Sequence, residues 1–350
     1  MKFEAKAKET VLLNPLEDMA RRSIPSQIRL DPLTGRTARV CHFMNPKWVK
    51  PDFSKIVDGT EVFCPFCPDK VMKLTPCFPE ELIPEGRMVS EDRVLFPNLA
   101  PYDSISALVT FGARHYVPMT EFKPDRIAGT FRLACDFFTR LRDLKHPEAV
   151  YNLVNWNYMP ASGSSLIHPH LQVFATSTAP NLLREELEAA GTYLEAHQSN
   201  YWDDLVKAEE EAGERWLGRL GRTAWMSSYA PLGVVGDVLA VVEGVTHTLE
   251  LTDQDLLNLA QGLTKVMAAY DQMGIYNFNM NFFSGAPGQD QARFHLLFSA
   301  RTFFNQSLGT PDVAAIRNLY NESICITFPE EINQLIKPEF EGPGKDAAHG

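Results

Sequence analysis

The pattern of hydrophobic and polar positions runs through the same order of elements twice. Each copy predicts a strand, a turn with a histidine, a helix, a strand, a Gly-rich loop and a further strand. In the first copy the segments are 93–99, 105–111, 124–144, 149–157 and 166–176. In the second copy they are 238–242, 252–270, 276–283 and 293–300. We therefore predict an internal duplication of an α+β unit, with antiparallel sheets and packed helices.

The duplication divides the chain into four parts. Residues 1–60 are polar, basic and rich in proline, and we expect them to be irregular. The stretch between the copies is charged and has helical spacing, and the residues after Pro338 are expected to be flexible. The predicted parts are a first unit at 1–178, a helical connector at 179–219, a second unit at 220–338 and a tail at 339–350.

Composition and charge narrow the possible partners. The chain has 350 residues, 45% of them hydrophobic, and a net charge of −11. Such an acidic chain is not expected to bind nucleic acid or an anionic membrane, which both need a basic surface. The sequence has no apolar run of membrane-spanning length and only six cysteines. These features predict a soluble, cytoplasmic protein with reduced thiols.

Two cysteines form a close pair, Cys64 and Cys67 in FCPFCPD. Such a pair is compatible with a redox site, with half of a zinc site, or with chance. A redox pair is usually followed by a helix that opens at the motif, which Pro65 and the Pro-rich residues after it disfavour. We therefore favour zinc, on condition that two further ligands come from elsewhere in the chain.

The segment His168-Pro-His170-Leu-Gln172 carries the strongest chemical information. On a strand, His168, His170 and Gln172 share one face, and the apolar residues between them face the core. The preceding loop, residues 162–165, reads SGSS and offers backbone N–H groups and hydroxyls to a phosphate. A histidine beside such a loop indicates nucleophilic attack on phosphorus, with a phosphoramidate intermediate.

These motifs together resemble the galactose-1-phosphate uridylyltransferases, a branch of the histidine-triad superfamily. The resemblance rests on RLDPLTGR, CPFC, ARHYVP and GSSLIHPHLQVFAT and on the second, altered copy. It implies two histidine-triad-like units and a homodimer. By position, His170 matches the family's nucleophile, and Gln172 matches the glutamine that donates to the phosphoryl oxygens. The residues that match the family's substrate contacts are Asn157, Gly163, Ser164, Ser165 and Gln172. Those that match its structural zinc ligands are Cys64, Cys67, His115 and His168, for one zinc per chain.

The activity implied by the resemblance is exchange of a nucleoside monophosphate between a nucleotide sugar and a sugar 1-phosphate. The exchange would be ping-pong, through a covalent nucleotidyl-histidine, as in a UDP-glucose–hexose-1-phosphate uridylyltransferase of galactose metabolism. Two alternatives remain open. One is a phosphorylase of nucleoside-diphosphate sugars or dinucleotides that uses phosphate as the acceptor. The other is a nucleotide-binding protein that performs no chemistry.

The second copy departs from the family pattern at the positions of the active residues. Arg293, His295 and Leu297 stand where His168, His170 and Gln172 stand in the first copy, so we expect no catalysis there. Some family members hold a second metal in this region. Two of its ligand positions are matched and two are replaced, so we expect no second metal. The matching residues are Glu186 and His295, and the replacements are Ser284 and Leu297.

Substrate-contacting segments also depart from the family. Its phosphate-binding arginines are missing from CHFMNPKWVKP, where Lys47 and Lys50 are the candidate substitutes. The family's Asn-Asp pair for the nucleoside is replaced by Val94 and Leu95, and its sugar-reading segment has no match around Tyr320. The sequence therefore predicts a nucleotidyltransferase whose base and sugar differ from those of UDP-galactose.

Overall fold

The computed structural model describes residues 1–41, 48–301 and 319–342. The strands in these ranges are β1 Ala5–Asn14, β2 Ala20–Leu30, β3 Thr37–Cys41, β4 Met88–Ser90, β5 Arg93–Pro97, β6 Ile105–Thr110, β7 Tyr151–Tyr158, β8 His170–Thr176, β9 Trp216–Leu220, β10 Thr223–Ser227, β11 Asp237–Val242, β12 Asn277–Phe283, β13 His295–Arg301 and β14 Ser323–Cys325. The α-helices are α1 Ser54–Val57, α2 Val71–Leu74, α3 Pro124–Asp143, α4 Asn181–His197, α5 Tyr201–Ala212, α6 Asp253–Gln272 and α7 Pro329–Glu341.

A ten-stranded antiparallel sheet contains both copies of the repeat. Its order is β4-β5-β6-β8-β7-β12-β13-β11-β10-β9. In the first half the strands lie in the order β4, β5, β6, β8, β7, and in the second half in the equivalent order β9, β10, β11, β13, β12. The two halves are joined where β7 pairs with β12. A 20-residue helix, α3 or α6, connects the third and fourth strands of each half. The predicted fold class and the internal duplication are therefore confirmed.

One apolar core joins the two halves on the helical face of the sheet. Helices α3 and α6 pack against each other and against the sheet. Leu171 and Val173 of β8 are fully buried in this core, as the alternating pattern predicts. Thr252 caps α6 through reciprocal hydrogen bonds with Asp255, which explains where that helix begins. The opposite face of β8 is left to His170 and Gln172.

The N-terminal segment differs from the expectation of an irregular region. Strands β1 and β2 form a ten-rung hairpin, β3 pairs with β2, and β14 adds to β3 in parallel. Most side chains of the hairpin are exposed, so the segment lacks the apolar alternation that marks a half-buried strand. Pro25 lies within β2, opposite Glu9. The prediction of an irregular segment is therefore wrong for residues 5–41. These strands are held by backbone pairing with mostly exposed side chains, so their sequence has no alternation of apolar and polar residues.

The predicted boundaries around the connector and the tail also differ from the structure. Helices α4 and α5 lie in the connector, but α5 ends at Gly213, whose φ of 72° is left-handed, and β9 already belongs to the second half of the sheet. Helix α7 continues to Glu341, into the predicted tail, and residues 343–350 lie outside the described part. Among the described residues no helix is long and apolar enough to cross a membrane.

Two helical glycines give opposite predictions for the same substitution. A Cβ on Gly262 of α6 would lie 2.1 Å from the buried Trp225 ring, whereas a Cβ on Gly191 of α4 meets nothing within 4 Å. We expect Gly262→Ala to lower the free energy of unfolding by about 1–3 kcal/mol through overpacking. Gly191→Ala should raise it by about 0.5–1 kcal/mol because alanine favours a helix. Urea unfolding of both variants tests this, and equal shifts would contradict the packing argument.

Candidate active site and metal centre

The four residues expected to bind a metal come together in the structure. Cys64 and Cys67 lie in the loop before α2, His115 lies between β6 and α3, and His168 lies just before β8. Their ligand atoms all lie within 4.8 Å of one another. The Cys67 Sγ is 3.5 Å from the His115 Nδ1 and 3.9 Å from the His168 Nδ1. The cluster could hold a metal ion with two sulfur and two nitrogen ligands.

Hydrogen bonds fix both imidazoles with Nδ1 towards the cluster. The His168 Nε2–H donates to the carbonyl of Gly112 at 2.7 Å. The His115 Nε2–H donates at 2.8 Å to the Thr60 hydroxyl, which itself donates to the Val57 carbonyl. Burial lowers the pKa of His168 to about 4 and also lowers that of His115. Both rings are therefore neutral, with the Nδ1 lone pair facing the cysteines, as metal ligation requires.

The cysteine pair has the surroundings of a ligand pair rather than of a redox pair. Both thiols are buried, and burial, together with the neighbouring Cys64, raises the pKa of Cys67 to about 11. A thiolate here would need a cation beside it. Helix α2 begins at Val71, four residues after Cys67, and is a single turn. The sequence predicted that no helix begins at the motif, and the structure agrees. The helix dipole that lowers the pKa of a redox cysteine is therefore missing at Cys64 and Cys67.

His170, the predicted nucleophile, is held in one orientation at the start of β8. Its Nδ1–H donates to the carbonyl of His168 at 2.8 Å, which leaves the Nε2 lone pair for an electrophile. The Phe66 ring and the imidazole pack in an edge-to-face arrangement, with ring centroids 5.2 Å apart and planes at 76°. Burial lowers the pKa of His170, so the ring is neutral at pH 7. Phe66 was not predicted from the sequence, although its position inside the CPFC motif brings it next to His170.

Gln172 lies on the same face of β8 as His170. It is half-buried and stands opposite Leu108 of β6 and Asn155 of β7. Its amide can donate hydrogen bonds without supplying an acidic proton. The pair therefore places an imidazole Nε2 lone pair and a neutral amide donor, two residues apart, on one side of the sheet.

The Gly/Ser loop lies beside Asn157. The loop turns at Gly163, whose φ of 95° is left-handed, and a Cβ there would lie 3.6 Å from the Asn157 Nδ2. The Ser164 hydroxyl is buried and donates to the Leu166 carbonyl, so it holds the loop together. Gly163 and Ser165 are exposed. The loop can therefore present backbone N–H groups and the Ser165 hydroxyl to an anion.

An asparagine from the second half of the sheet completes this site. The Asn279 Nδ2 donates to the Asn157 Oδ1 at 2.6 Å and to the Ser162 carbonyl at 2.8 Å. The first bond turns the Nδ2 donor of Asn157 away from β12, and the second ties down the loop. Asn279 was not predicted from the sequence. The alternation of asparagine with apolar residues in Asn277–Phe283 was a signal that could have identified it.

The altered second copy has a different environment at the equivalent positions. The His295 ring stacks on Trp202 at 4.2 Å between centroids, and its Nε2 lies 3.5 Å from the Glu186 carboxylate. Arg293 forms an ion pair with Asp203, and the Ser284 hydroxyl hydrogen-bonds to that of Thr248. Leu297 pairs with Asn281 in the ladder, as Gln172 pairs with Asn155. The absence of a second metal remains a prediction.

Lys47 and Lys50 were proposed as substitutes for the phosphate-binding arginines of the family. The Lys50 ammonium lies 2.6 Å from the Asp271 carboxylate, so the charge of Lys50 is paired within the protein. Lys47 lies outside the described residues.

Val94 and Leu95 are buried in apolar clusters, so these side chains are part of the packing. The nucleoside contacts of the family therefore have no equivalent at these two positions.

Comparison with known proteins supports the family resemblance. No protein-family model matches the chain. A protein of Archaeoglobus fulgidus without an assigned function is 29% identical over 312 residues, 89% of this chain and 91% of that protein. The galactose-1-phosphate uridylyltransferase of Neurospora crassa is 31% identical over 140 residues, 38% of this chain and 34% of that enzyme.

Solved structures show the same fold. A GALT-like protein of Arabidopsis thaliana matches with a TM-score of 0.67 and 15% identity, over 89% of this chain and 98% of that one. An ADP-glucose phosphorylase of Arabidopsis thaliana, bound to ADP-glucose, matches with a TM-score of 0.65, 15% identity and the same coverage. A uridylyltransferase matches with a TM-score of 0.63 and 21% identity, over 90% of this chain and 98% of that one.

The cysteine and histidine cluster predicts a tightly bound metal. We expect elemental analysis of the purified protein to find about one equivalent of metal per chain, because four ligand atoms converge on one point. Cys64→Ser should lose the metal and lower the melting temperature. Cys77→Ser is the matched control, since this cysteine is exposed and outside the cluster. A metal-free protein of unchanged stability would contradict the interpretation.

Proposed function

We propose that this chain, which resembles the galactose-1-phosphate uridylyltransferases and shares the fold of GALT-like proteins, catalyses nucleotidyl transfer through a covalent intermediate on His170. The observation that carries the proposal is the orientation of this ring. Its Nδ1–H is held by the His168 carbonyl, and its Nε2 lone pair lies on the face of β8 that carries Gln172. We propose a nucleotide sugar as the donor and a sugar 1-phosphate as the acceptor.

In the first half-reaction the His170 Nε2 attacks the α-phosphorus of the nucleotide sugar. The P–N bond forms as the bond from the α-phosphorus to the bridging oxygen breaks, and sugar 1-phosphate leaves with that electron pair. In the second half-reaction a phosphate oxygen of the acceptor attacks the same phosphorus, and the P–N electron pair returns to Nε2. The Nδ1 proton stays on the ring throughout, because the His168 carbonyl accepts its hydrogen bond.

The neighbouring groups suit a phosphoryl centre that changes its charge distribution but receives no proton. Gln172, the Asn157 Nδ2 and the N–H groups of the Gly/Ser loop are neutral donors. They stabilise the equatorial oxygens in the transition state. None of them is an acid that would protonate a leaving group, so the intermediate can persist until an acceptor phosphate arrives.

Zinc is the metal we propose for the cluster of Cys64, Cys67, His115 and His168. Two sulfur and two nitrogen ligands are a donor set that zinc favours, and the Cys67 Sγ lies 3.5 Å from the His115 Nδ1 and 3.9 Å from the His168 Nδ1. Four protein ligands leave no open position, so the metal would brace the strand that begins at His170 and take no part in the reaction.

A phosphorylase that uses inorganic phosphate as the acceptor is the second candidate. The likeness to a structure of an ADP-glucose phosphorylase, with a TM-score of 0.65, favours it. The first half-reaction is the same in both candidates, and only the acceptor differs. A binding protein without chemistry is disfavoured, because it has no use for a buried, neutral histidine with an oriented Nε2.

The covalent step predicts a trapped nucleotidyl-protein. Incubation with UDP-, ADP- and GDP-sugars labelled in the α-phosphate should give an acid-labile, base-stable adduct with one of them, because a phosphoramidate hydrolyses in acid. His170→Ala should abolish the label. His197→Ala, an exposed histidine at the end of α4, should leave it unchanged. If the label is absent in the wild type or survives in His170→Ala, the proposed mechanism is wrong.

Asn279 should act as a positioning residue in this reaction. Asn279→Asp removes the donor to Asn157 and to the Ser162 carbonyl, so the Asn157 amide would turn its Nδ2 towards the new carboxylate. We expect the rate of label formation to fall about 100-fold, with a melting temperature close to that of the wild type.

Asn98→Asp is the matched control, because its Oδ1 accepts from the Ala100 N–H and a carboxylate keeps that bond. A fall in kcat with little change in KM supports a positioning role for Asn279. Equal rates in Asn279→Asp and the wild type would show that the bond to Asn157 is dispensable.

A further inference from the structure

An aspartate outside the cysteine and histidine cluster contacts the peptide group that orients one of the histidines. The carbonyl of Gly112 accepts the Nε2–H of His168 at 2.7 Å. The N–H of the same peptide group belongs to Ala113, and it donates to the Asp92 Oδ2 at 3.0 Å. A trans peptide group is planar, with its C=O and N–H pointing in opposite directions. One rigid group, which we call the bridging peptide, therefore lies between Asp92 and His168.

Three elements of the first half hold the bridging peptide in place. It follows β6, while Asp92 lies in the turn between β4 and β5. Arg126, in the first turn of α3, donates to the Asp92 Oδ1. Asp92 thus binds α3 with one carboxylate oxygen and the bridging peptide with the other. The Phe111 N–H also donates to the Pro169 carbonyl at 3.0 Å, which fixes the same segment beside His168.

The backbone at Gly112 is suited to glycine alone. Its φ of 127° lies in the range that residues with a side chain rarely adopt. A Cβ there would lie 2.7 Å from the Asp92 Oδ2 and 2.8 Å from the Arg126 Nη1. The missing side chain therefore allows the carboxylate and the guanidinium to close over the bridging peptide.

Asp92 is charged at neutral pH. Burial alone would raise the pKa of this carboxyl, but the hydrogen bonds from Arg126 and from the Ala113 N–H hold the pKa below its ordinary value. Hydrogen bonds in series polarise one another, so a negative charge at the N–H end makes the carbonyl at the other end a stronger acceptor. The Gly112 carbonyl therefore binds the His168 Nε2–H more strongly than an isolated carbonyl would.

We propose that Asp92 is a positioning residue for His168, which acts through the bridging peptide to fix the Nε2–H tautomer and to raise the electron density at Nδ1. Metal-binding histidines commonly donate their other ring N–H to a carboxylate or to a carbonyl, and here the two are combined in series. The arrangement spares the protein a buried carboxylate, because His168 is fully buried while the Asp92 side chain is 40% exposed. This inference rests on the proposed metal site and does not depend on the chemistry at His170.

The simpler alternative is that Asp92 and Arg126 form a surface ion pair that ties a turn to a helix. Both side chains are about two-fifths exposed, and ion pairs of this kind contribute little to stability. Such a pair would affect the melting temperature but would leave the His168 ring unchanged. The two interpretations therefore differ in what happens at the ring.

The test compares variants of the full-length, metal-loaded protein. Asp92→Asn keeps an oxygen that can accept from the Ala113 N–H but removes the charge, and Asp92→Ala removes the acceptor. In competition with a chelator, we expect the metal dissociation constant to rise about tenfold in Asp92→Asn and further in Asp92→Ala. Asp103→Asn is the matched control, because the exposed Asp103 also accepts from a backbone N–H, that of Ser104, outside the cluster. It should bind the metal like the wild type.

Nitrogen-15 NMR of histidine-labelled protein gives a second readout that does not require the metal. We expect His168 to be in the Nε2–H tautomer in the wild type. Its Nε2–H proton signal should move upfield in both Asp92 variants, because the hydrogen bond to the Gly112 carbonyl weakens. The Asp103→Asn control should leave this signal in place.

The outcomes separate this inference from the proposed function. It is overturned if both Asp92 variants, shown to be folded by circular dichroism, match the wild type in metal affinity and in the His168 ring signals. If the wild type holds no metal but the ring signal responds, the positioning role stands and the metal site fails. If metal affinity falls but no nucleotidyl-His170 is trapped, the positioning role stands and the covalent reaction fails. If the label forms and both variants behave like the wild type, the reaction stands and the positioning role fails.

Discussion

The pairing of β7 with β12 is the contact on which the rest of the site depends. It joins the two halves of the sheet through their fourth strands and makes their polar faces one surface. Across this seam Asn279 reaches Asn157 and the Ser162 carbonyl. The arrangement therefore depends on both halves, because the Gly/Ser loop of the first half is hydrogen-bonded to a side chain of the second.

A second constraint is the period of two along β8. His168 and His170 fall on the same side of the chain, and one carbonyl, that of His168, orients the ring of His170. The strand therefore begins at His170, the proposed nucleophile, two residues after a member of the cysteine and histidine cluster, with Phe66 packed against both rings. The burial that holds the rings in place also lowers the pKa of each and keeps both neutral. Burial therefore accounts both for the fixed position of the two imidazoles and for their neutral state.

Local patterns in the sequence predict a large part of this arrangement. The alternation in 166–176, the helix opened by Pro124 and the cap at Thr252 depend on neighbouring residues. The structure agrees with the helix start and the cap, and it forms the strand from His170 to Thr176, so residues 166–169 lie outside it. The four residues of the metal cluster were identified by their resemblance to a family motif, and the structure brings them together. The hairpin of β1 and β2 was missed because its side chains are largely exposed. Asn279 was missed because its partner lies 122 residues away, and the ion pair of Lys50 with Asp271 could not be foreseen because these two residues are still farther apart in the sequence.

The strand order also bears on how such a chain can diverge. His170 and the Gly/Ser loop belong to the first copy, while Asn279, Asn281 and Ser299 belong to the second. The two copies share a backbone ladder, but they carry separate stretches of sequence. Under the proposed function, substitutions confined to residues 277–301 would leave His170 and the Gly/Ser loop unchanged. A duplication whose two copies differ at these positions therefore leaves the second half of the sheet able to vary in sequence separately from the first.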